Sequence, residues 1–354
     1  MITNSELLII SFFSFSISAI STYLVVPFLI RFSAKSKLID IPNKRKQHSK
    51  PMLMAGGISM VTGFIITVLI LIIFSQTFNN EIIKLDPKII VGIICSIIFF
   101  FLGFWDDINS ISPFARLFLQ ILISILVWSF GLRVDSIDLT IISPDLSIYL
   151  IPKIVSLIFT CIWISGITNA LNWIDGLDGL SSGISLTSSL GLAIFCYAYG
   201  NFEIGLFLSI IGGCNLGFLK YNYFPAKILM GDGGSYFLGN SFAIYSLIAI
   251  SSLSINDQKL SILIPLILIS IPLGDMFYVI IKRISKGKTP FYGDRNHLHH
   301  RLLRTGLTHK QTVEVILLSN MFISNILFFY TNLLSFKFFI IFTTLLIFLF
   351  ITRS

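Results

Sequence analysis

The feature that most constrains this chain is a succession of apolar runs, each about as long as a bilayer is thick and hardly interrupted by charge. A helix needs roughly 20 apolar residues to cross the hydrocarbon core. Lipid offers no hydrogen-bond partners, so a segment at that depth must satisfy its own backbone. Composition agrees: 55% of the 354 residues are hydrophobic and 12% charged, whereas a soluble domain is about a quarter charged. A soluble enzyme, a disordered chain and a secreted disulfide scaffold are excluded. The expected fold is an all-α polytopic membrane protein forming one domain over 1–354.

The runs predict about eleven transmembrane helices, at 5–31, 54–76, 88–105, 114–132, 151–171, 180–199, 202–221, 234–253, 260–283, 312–331 and 333–351. The first is too long for the apolar core of a signal peptide and reads as a permanent span. With this alternation, 19 of the 25 Lys and Arg fall on one side. Basic loops stay in the cytoplasm, so the N-terminus is expected outside and the C-terminus inside. The net charge of +8 therefore reflects topology, and no nucleic acid is implied. Cys95, Cys161, Cys196 and Cys214 all lie inside apolar runs and read as small buried hydrophobes.

The polar residues sort onto the same basic side. Asp106 and Asp107 close the third span in FLGFWDDINS. A solvated helix end is one reading, but negative charge is disfavoured at a helix C-terminus and the two carboxylates repel. A compensating cation is expected, with Mg²⁺ on oxygen ligands the natural candidate. NALNWIDGLDGL follows the fifth span. In helical geometry Asp175 and Asp178 share a face, and Gly176, Gly179 and Gly183 permit close approach by a ligand; a plain Gly-rich turn is the alternative. Asp232 in MGDGGS is either an N-cap or part of an anion site at a helix start. In DRNHLHHRLL, a helix would put His297, His300 and Arg301 on one face and His299 elsewhere. These imidazoles, with Arg295, would grip phosphate oxygens or move a proton. The basic loop DIPNKRKQHSKP, with Lys44 and His48, is either a headgroup anchor or a phosphate contact. Asp275, inside the ninth span, is costly there and functional by default; Pro272 and Gly274 predict a bend beside it.

WDD at 105–107, NALNWIDGLDGL at 169–180, NYFPAKILMGDGGS at 222–235 and DRNHLHHRLL at 294–303 together resemble the polyprenyl-phosphate N-acetylhexosamine-1-phosphate transferases of glycosyltransferase family 4. The resemblance implies transfer of a sugar-1-phosphate from a UDP-N-acetyl sugar to undecaprenyl phosphate at the cytoplasmic face of the cell membrane, releasing UMP. It implies Mg²⁺, with Mn²⁺ as a substitute. By motif position, Asp106 or Asp107 would hold metal or deprotonate the lipid phosphate, and Asp232 would hold metal. Asp175 and Asp178 would face the diphosphate, and His297, His299 and His300 would contact phosphate or sugar. Asn172, Asn222, Arg295, Arg301, Lys44 and His48 would contact substrate. The bent ninth helix would bound a groove for the polyprenyl tail, and a homodimer is left open.

PMLMAGG and DRNHLHHRLL resemble the branch using UDP-GlcNAc rather than UDP-MurNAc-pentapeptide. A UDP-linked QuiNAc or FucNAc donor is the alternative within the family. Leu229 stands where many members have Phe, with Tyr223 as a nearby aromatic. A transporter of anionic solutes is the rival from another class, but it would place ionisable groups near the bilayer midplane.

Overall fold

The computed structural model describes residues 4–32, 38–40, 51–77, 86–138, 148–252 and 262–330. It is a helical bundle of α1 (Asn4–Phe32), α2 (Gly56–Thr77), α3 (Pro87–Asn109), α4 (Pro113–Ser129), α5 (Lys153–Ile174), α6 (Leu180–Ala198), α7 (Phe202–Asn222), α8 (Gly231–Ser252), α9 (Leu263–Leu268), α10 (Ser270–Ile284), α11 (Leu298–Arg304) and α12 (His309–Tyr330). Two small antiparallel hairpins interrupt the all-α pattern: β1 (Ile39–Asp40) with β2 (Met52–Leu53), and β3 (Ser136–Asp138) with β4 (Ile148–Leu150). Among the described residues, α1, α2, α3, α5, α6 and α7 contain stretches long and apolar enough to cross a membrane. The predicted span 333–351 and the loop carrying Lys44 and His48 lie outside the described residues.

Burial explains why the helices differ in polarity. α8 packs against α2, α3, α5 and α7, and every residue from Gly233 to Ile250 is buried. Surrounded by protein, it tolerates Asn240, Ser241 and Ser246, and Trp163 of α5 donates to Ser246 Oγ at 3.0 Å. The outward faces carry large apolar side chains instead: Phe12 and Phe28 on α1, Phe101 and Trp105 on α3, Phe118 on α4, Ile162 on α5. Lipid would cover these. Hydroxyls within the apolar helices return to their own backbone, as when Thr67 bonds the Gly63 carbonyl at 2.8 Å and Ser96 the Gly92 carbonyl at 2.8 Å. This satisfies a group that lipid cannot.

The predicted bend beside Asp275 is a break, and it falls earlier than Gly274. Pro272 has no N–H to return to the carbonyl four residues back, which belongs to Leu268. That carbonyl instead accepts from Ser188 Oγ of α6 at 2.7 Å and Asn320 Nδ2 of α12 at 3.1 Å. The freed acceptor thereby fastens the α9–α10 break to two neighbouring helices.

Candidate active site

Several helix ends meet around one cavity of about 280 Å³. It is lined by Asp107 near the end of α3, Asn172 near the end of α5, the 175–178 turn, Asn222 closing α7, Gly231 and Asp232 opening α8, and His299 and His300 of α11. Asp40 of β1 and Met54 complete the wall. Five carboxylates line it: Asp40, Asp107, Asp175, Asp178 and Asp232; among the described residues no Lys or Arg does.

The placement of Asp107 follows from a close helix crossing. A Cβ on Gly103 would lie 2.3 Å from the Asp232 carbonyl oxygen, so only glycine lets α3 approach the start of α8 this way. Asp107 then accepts from the backbone N–H of Asp232 at 2.8 Å and of Gly233 at 3.0 Å. These are unpaired donors at a helix N-terminus, where negative charge is favoured. Asp232 is held in turn by Asn172, whose Nδ2 donates to its Oδ1 at 2.7 Å and to Ser235 Oγ at 2.9 Å.

Asp106 does not line the cavity and is buried. Its carboxylate accepts from the Ile111 N–H at 2.6 Å and from Arg116 of α4. Arg116 also reaches Asp232 Oδ2 at 3.5 Å. The cation facing this member of the acidic pair is therefore a side chain, and Asp106 is not among the cavity's carboxylates.

Asp175 and Asp178 share the cavity but not a helical face, because α5 stops at Ile174 and Asp175 is its C-cap. Asp178 Oδ2 accepts from the Ala226 N–H at 3.0 Å, and its own N–H donates to His309 Nε2 at 3.0 Å. Phe224 stacks on His309, with ring centroids 4.6 Å apart. Asp175 is pushed up to about 7, first by burial and then by the charges of Asp107 and Asp178. Asn222 spends its side chain on the wall itself: Oδ1 accepts from Gly179 N–H at 3.0 Å and Ser182 Oγ at 3.1 Å, while Nδ2 donates to the Ile228 carbonyl at 3.0 Å.

The histidines divide differently from the helical-face expectation. His297 is the N-cap residue of α11 and does not line the cavity, whereas His299 and His300 do. His299 is buried, and its pKa is lowered to about 3, by burial first and then by His300, His297 and His309. It is a neutral imidazole at physiological pH. The close approach that Gly176 allows is used by this ring: a Cβ there would lie 2.4 Å from His299 Nε2. Gly176→Ala is therefore expected to displace His299 and cost about 1–3 kcal/mol through overpacking. A thermal midpoint equal to the parent's would show that the ring has room to retreat. Arg295 is exposed, and Arg301 lies 4.0 Å over the Tyr278 ring; neither lines the cavity. Leu229 does, while the Tyr223 hydroxyl donates to Glu314 at 3.4 Å.

Five carboxylates, with the Arg116 guanidinium 3.5 Å from one of them, Asp232, make a hard-cation environment. No three ligating side chains among the described residues are gathered into a ready-made metal shell. Mg²⁺ does not need one, since it keeps waters and completes its octahedron with substrate phosphates. The donor set fits that ion; zinc would call for soft or imidazole ligands in closed geometry.

Comparison with known proteins gives this arrangement a family. The family model described as Glycosyl transferase family 4 matches residues 89–250, which include Asp107, the 175–178 turn and Asp232. The chain is 34% identical to the "Probable undecaprenyl-phosphate N-acetylglucosaminyl 1-phosphate transferase" of Bacillus subtilis (strain 168), over 86% of this chain and 80% of that protein. The chain belongs to glycosyl transferase family 4. It is also 30% identical to the undecaprenyl-phosphate alpha-N-acetylglucosaminyl 1-phosphate transferase of Escherichia coli (strain K12), over 86% of this chain and 80% of that one. Similarity to the decaprenyl-phosphate N-acetylglucosaminephosphotransferase of Mycolicibacterium smegmatis is 27% over 85% of this chain and 77% of the relative.

Sequence reasoning passed over four residues that the structure brings forward. Asp40 was hidden in a loop read for its positive charge. Arg116 was counted only for topology, although Ser112-Pro113 marks a helix start that sets it back toward Asp106. His309 and Arg283 stood outside the motifs.

Proposed function

We propose that this chain transfers N-acetylglucosamine 1-phosphate from UDP-GlcNAc to undecaprenyl phosphate, releasing UMP, at a cytoplasmic active site in the cell membrane. The observation that carries the proposal is the five-carboxylate cavity set at one end of an apolar bundle, in a chain whose relatives bear that activity in their names. An acidic pocket next to lipid-facing helices suits a reaction between a soluble diphosphate and a membrane-held phosphate. Eleven spans with the N-terminus outside would set that end in the cytoplasm.

Asp107 and Asp232 are the residues we propose to hold Mg²⁺, because the α8 amides and Asn172 fix their carboxylates while lone pairs remain toward the cavity. When bound, the ion would neutralise the donor diphosphate and stabilise charge on the departing UMP. Asp175, held near neutrality by its surroundings, is suited to take a proton from the acceptor phosphate. His299 and His300 offer donors to phosphate or sugar oxygens. Positioning and electrostatics carry most of such a transfer.

The test is transfer by purified protein supplied with undecaprenyl phosphate, Mg²⁺ and either UDP-GlcNAc, UDP-GalNAc or UDP-MurNAc-pentapeptide, following UMP and the lipid-linked product. Product from UDP-GlcNAc is expected, and EDTA should stop it until Mg²⁺ is restored. Full turnover in EDTA would overturn the metal assignment. No product from any acetamido donor, QuiNAc and FucNAc nucleotides included, would overturn the reaction.

A further inference from the structure

His297 stands behind the cavity wall rather than on it, and every edge of its ring is engaged. Nδ1 lies 2.8 Å from Asp275 Oδ2, a carboxylate whose side chain is 2% exposed. Nε2 faces Arg283 Nη2 at 3.5 Å. A guanidinium only donates, so Nε2 is the acceptor and the proton sits on Nδ1, pointing at Asp275. Arg283 is itself fixed. It is buried, its guanidinium lies 5.0 Å over the Trp173 ring, and it pairs with Asp294 at 3.2 and 3.3 Å. Trp173 also meets the His297 ring edge-on at 5.7 Å.

Asp275 fastens more than one point of the histidine segment. Its Oδ1 accepts from the Leu298 N–H at 2.6 Å, at the first residue of α11, and lies 4.0 Å from Arg301. One carboxylate on α10 therefore fixes the start and one further turn of the short helix. A seven-residue helix is marginal alone, so its orientation depends on such outside anchors. His299, two residues on, lies parallel to His297 at 5.7 Å and leans on His300 at 4.3 Å.

From this geometry we infer that His297 is a positioning residue, locked between Asp275 and Arg283, that sets His299 and His300 against the cavity. The inference rests on the proposed transfer reaction for its functional reading. The first histidine of NHLHH then contacts no substrate. Asp275, the costly acid of the ninth predicted span, serves as the anchor of the segment rather than a transport group.

The test uses the full chain in lipid nanodiscs with UDP-GlcNAc, undecaprenyl phosphate and Mg²⁺. Asp275→Asn removes the charge and leaves Leu298 N–H or His297 without its acceptor. It should lower kcat by roughly 10–100-fold, by analogy with the loss of a carboxylate that orients a metal-bound histidine, and change KM for the nucleotide sugar little. Asp275→Glu should restore part of the loss. His297→Asn, which retains a donor near the Nδ1 position, should keep more activity than His297→Ala. In a His300→Ala background, Asp275→Asn should cost much less than in the parent, because groups acting through one another are not additive. Amide hydrogen exchange over 297–304 should quicken in Asp275→Asn while α8 keeps its protection.

Full activity in Asp275→Asn, or a penalty undiminished in His300→Ala, would overturn the inference. If the parent itself transfers nothing, the function fails separately, and exchange over 297–304 still decides the anchor: parental protection in Asp275→Asn would remove it.

Discussion

Asp175→Asn should cut turnover by roughly 100- to 10,000-fold, the usual weight of a positioned proton acceptor, and yet make the protein more resistant to heat at pH 8. The two effects share one cause. Asp175 is pushed up to about 7 by burial and by Asp107 and Asp178, while an unfolded Asp titrates near about 3.9. Between those values the folded chain holds a proton that the unfolded chain has released. Stability therefore falls as pH rises through that window and levels off above about 7. An amide has no such charge to bury, so the variant lacks this decline. Thermal midpoints of parent and variant in metal-free buffer should nearly coincide at pH 4 and separate at pH 8, with the variant higher. Activity is measured separately with Mg²⁺ present. A variant that loses activity and also melts lower at pH 8 would mean that the Asp175 carboxylate is held by a favourable contact, and the proton-acceptor role would lose its basis.

The sequence made the helices legible wherever lipid does the selecting. The runs around α2, α3 and α5 announce themselves because their outward sides carry large apolar side chains, whereas α6 and α7 are apolar runs largely enclosed by protein. α8 was legible as the apolar run 234–253, but that protein rather than lipid surrounds it was not. The break at Ile269 shows the limit: Pro272 predicts that a helix is disturbed, but which carbonyl is freed and what accepts the task depends on Ser188 and Asn320 from distant helices.

At the site, Asp107, Asp175, Asp178 and Asp232 were readable as a set because each lies at or next to the end of an apolar helix. Division of labour within each motif was not readable. Asp106 and Asp107 are neighbours in sequence, but about 100° of helix rotation sends one to Arg116 and the other to the α8 amides. His299 and His300 both line the cavity, while His297 and Arg301, assigned to the same face as His300, do not. Spacing gives faces only inside a continuous helix, and both the 175–179 turn and residue 297 lie just outside one.

Arg116→Met should destabilise the protein by about 3 kcal/mol, at the low end of the range for leaving one member of a buried ion pair alone. The Asp106 side chain is 5% exposed, while that of Arg116 is 25% exposed, so solvent softens the loss on the arginine side only. Asp106 would keep the Ile111 N–H, too little for a full charge beside Asp107 and Asp232. Adding Asp106→Asn to Arg116→Met should recover most of the stability, because the amide still accepts from Ile111 and no longer carries charge. Denaturation midpoints of the two single variants and the double variant measure the coupling directly. If the double variant is as unstable as Arg116→Met alone, the guanidinium acts through its packing against α3 rather than through Asp106. Activity separates a second consequence. Arg116 also reaches Asp232 at 3.5 Å, so a double variant that regains stability without regaining turnover would assign to Arg116 the orientation of the carboxylate proposed to hold Mg²⁺.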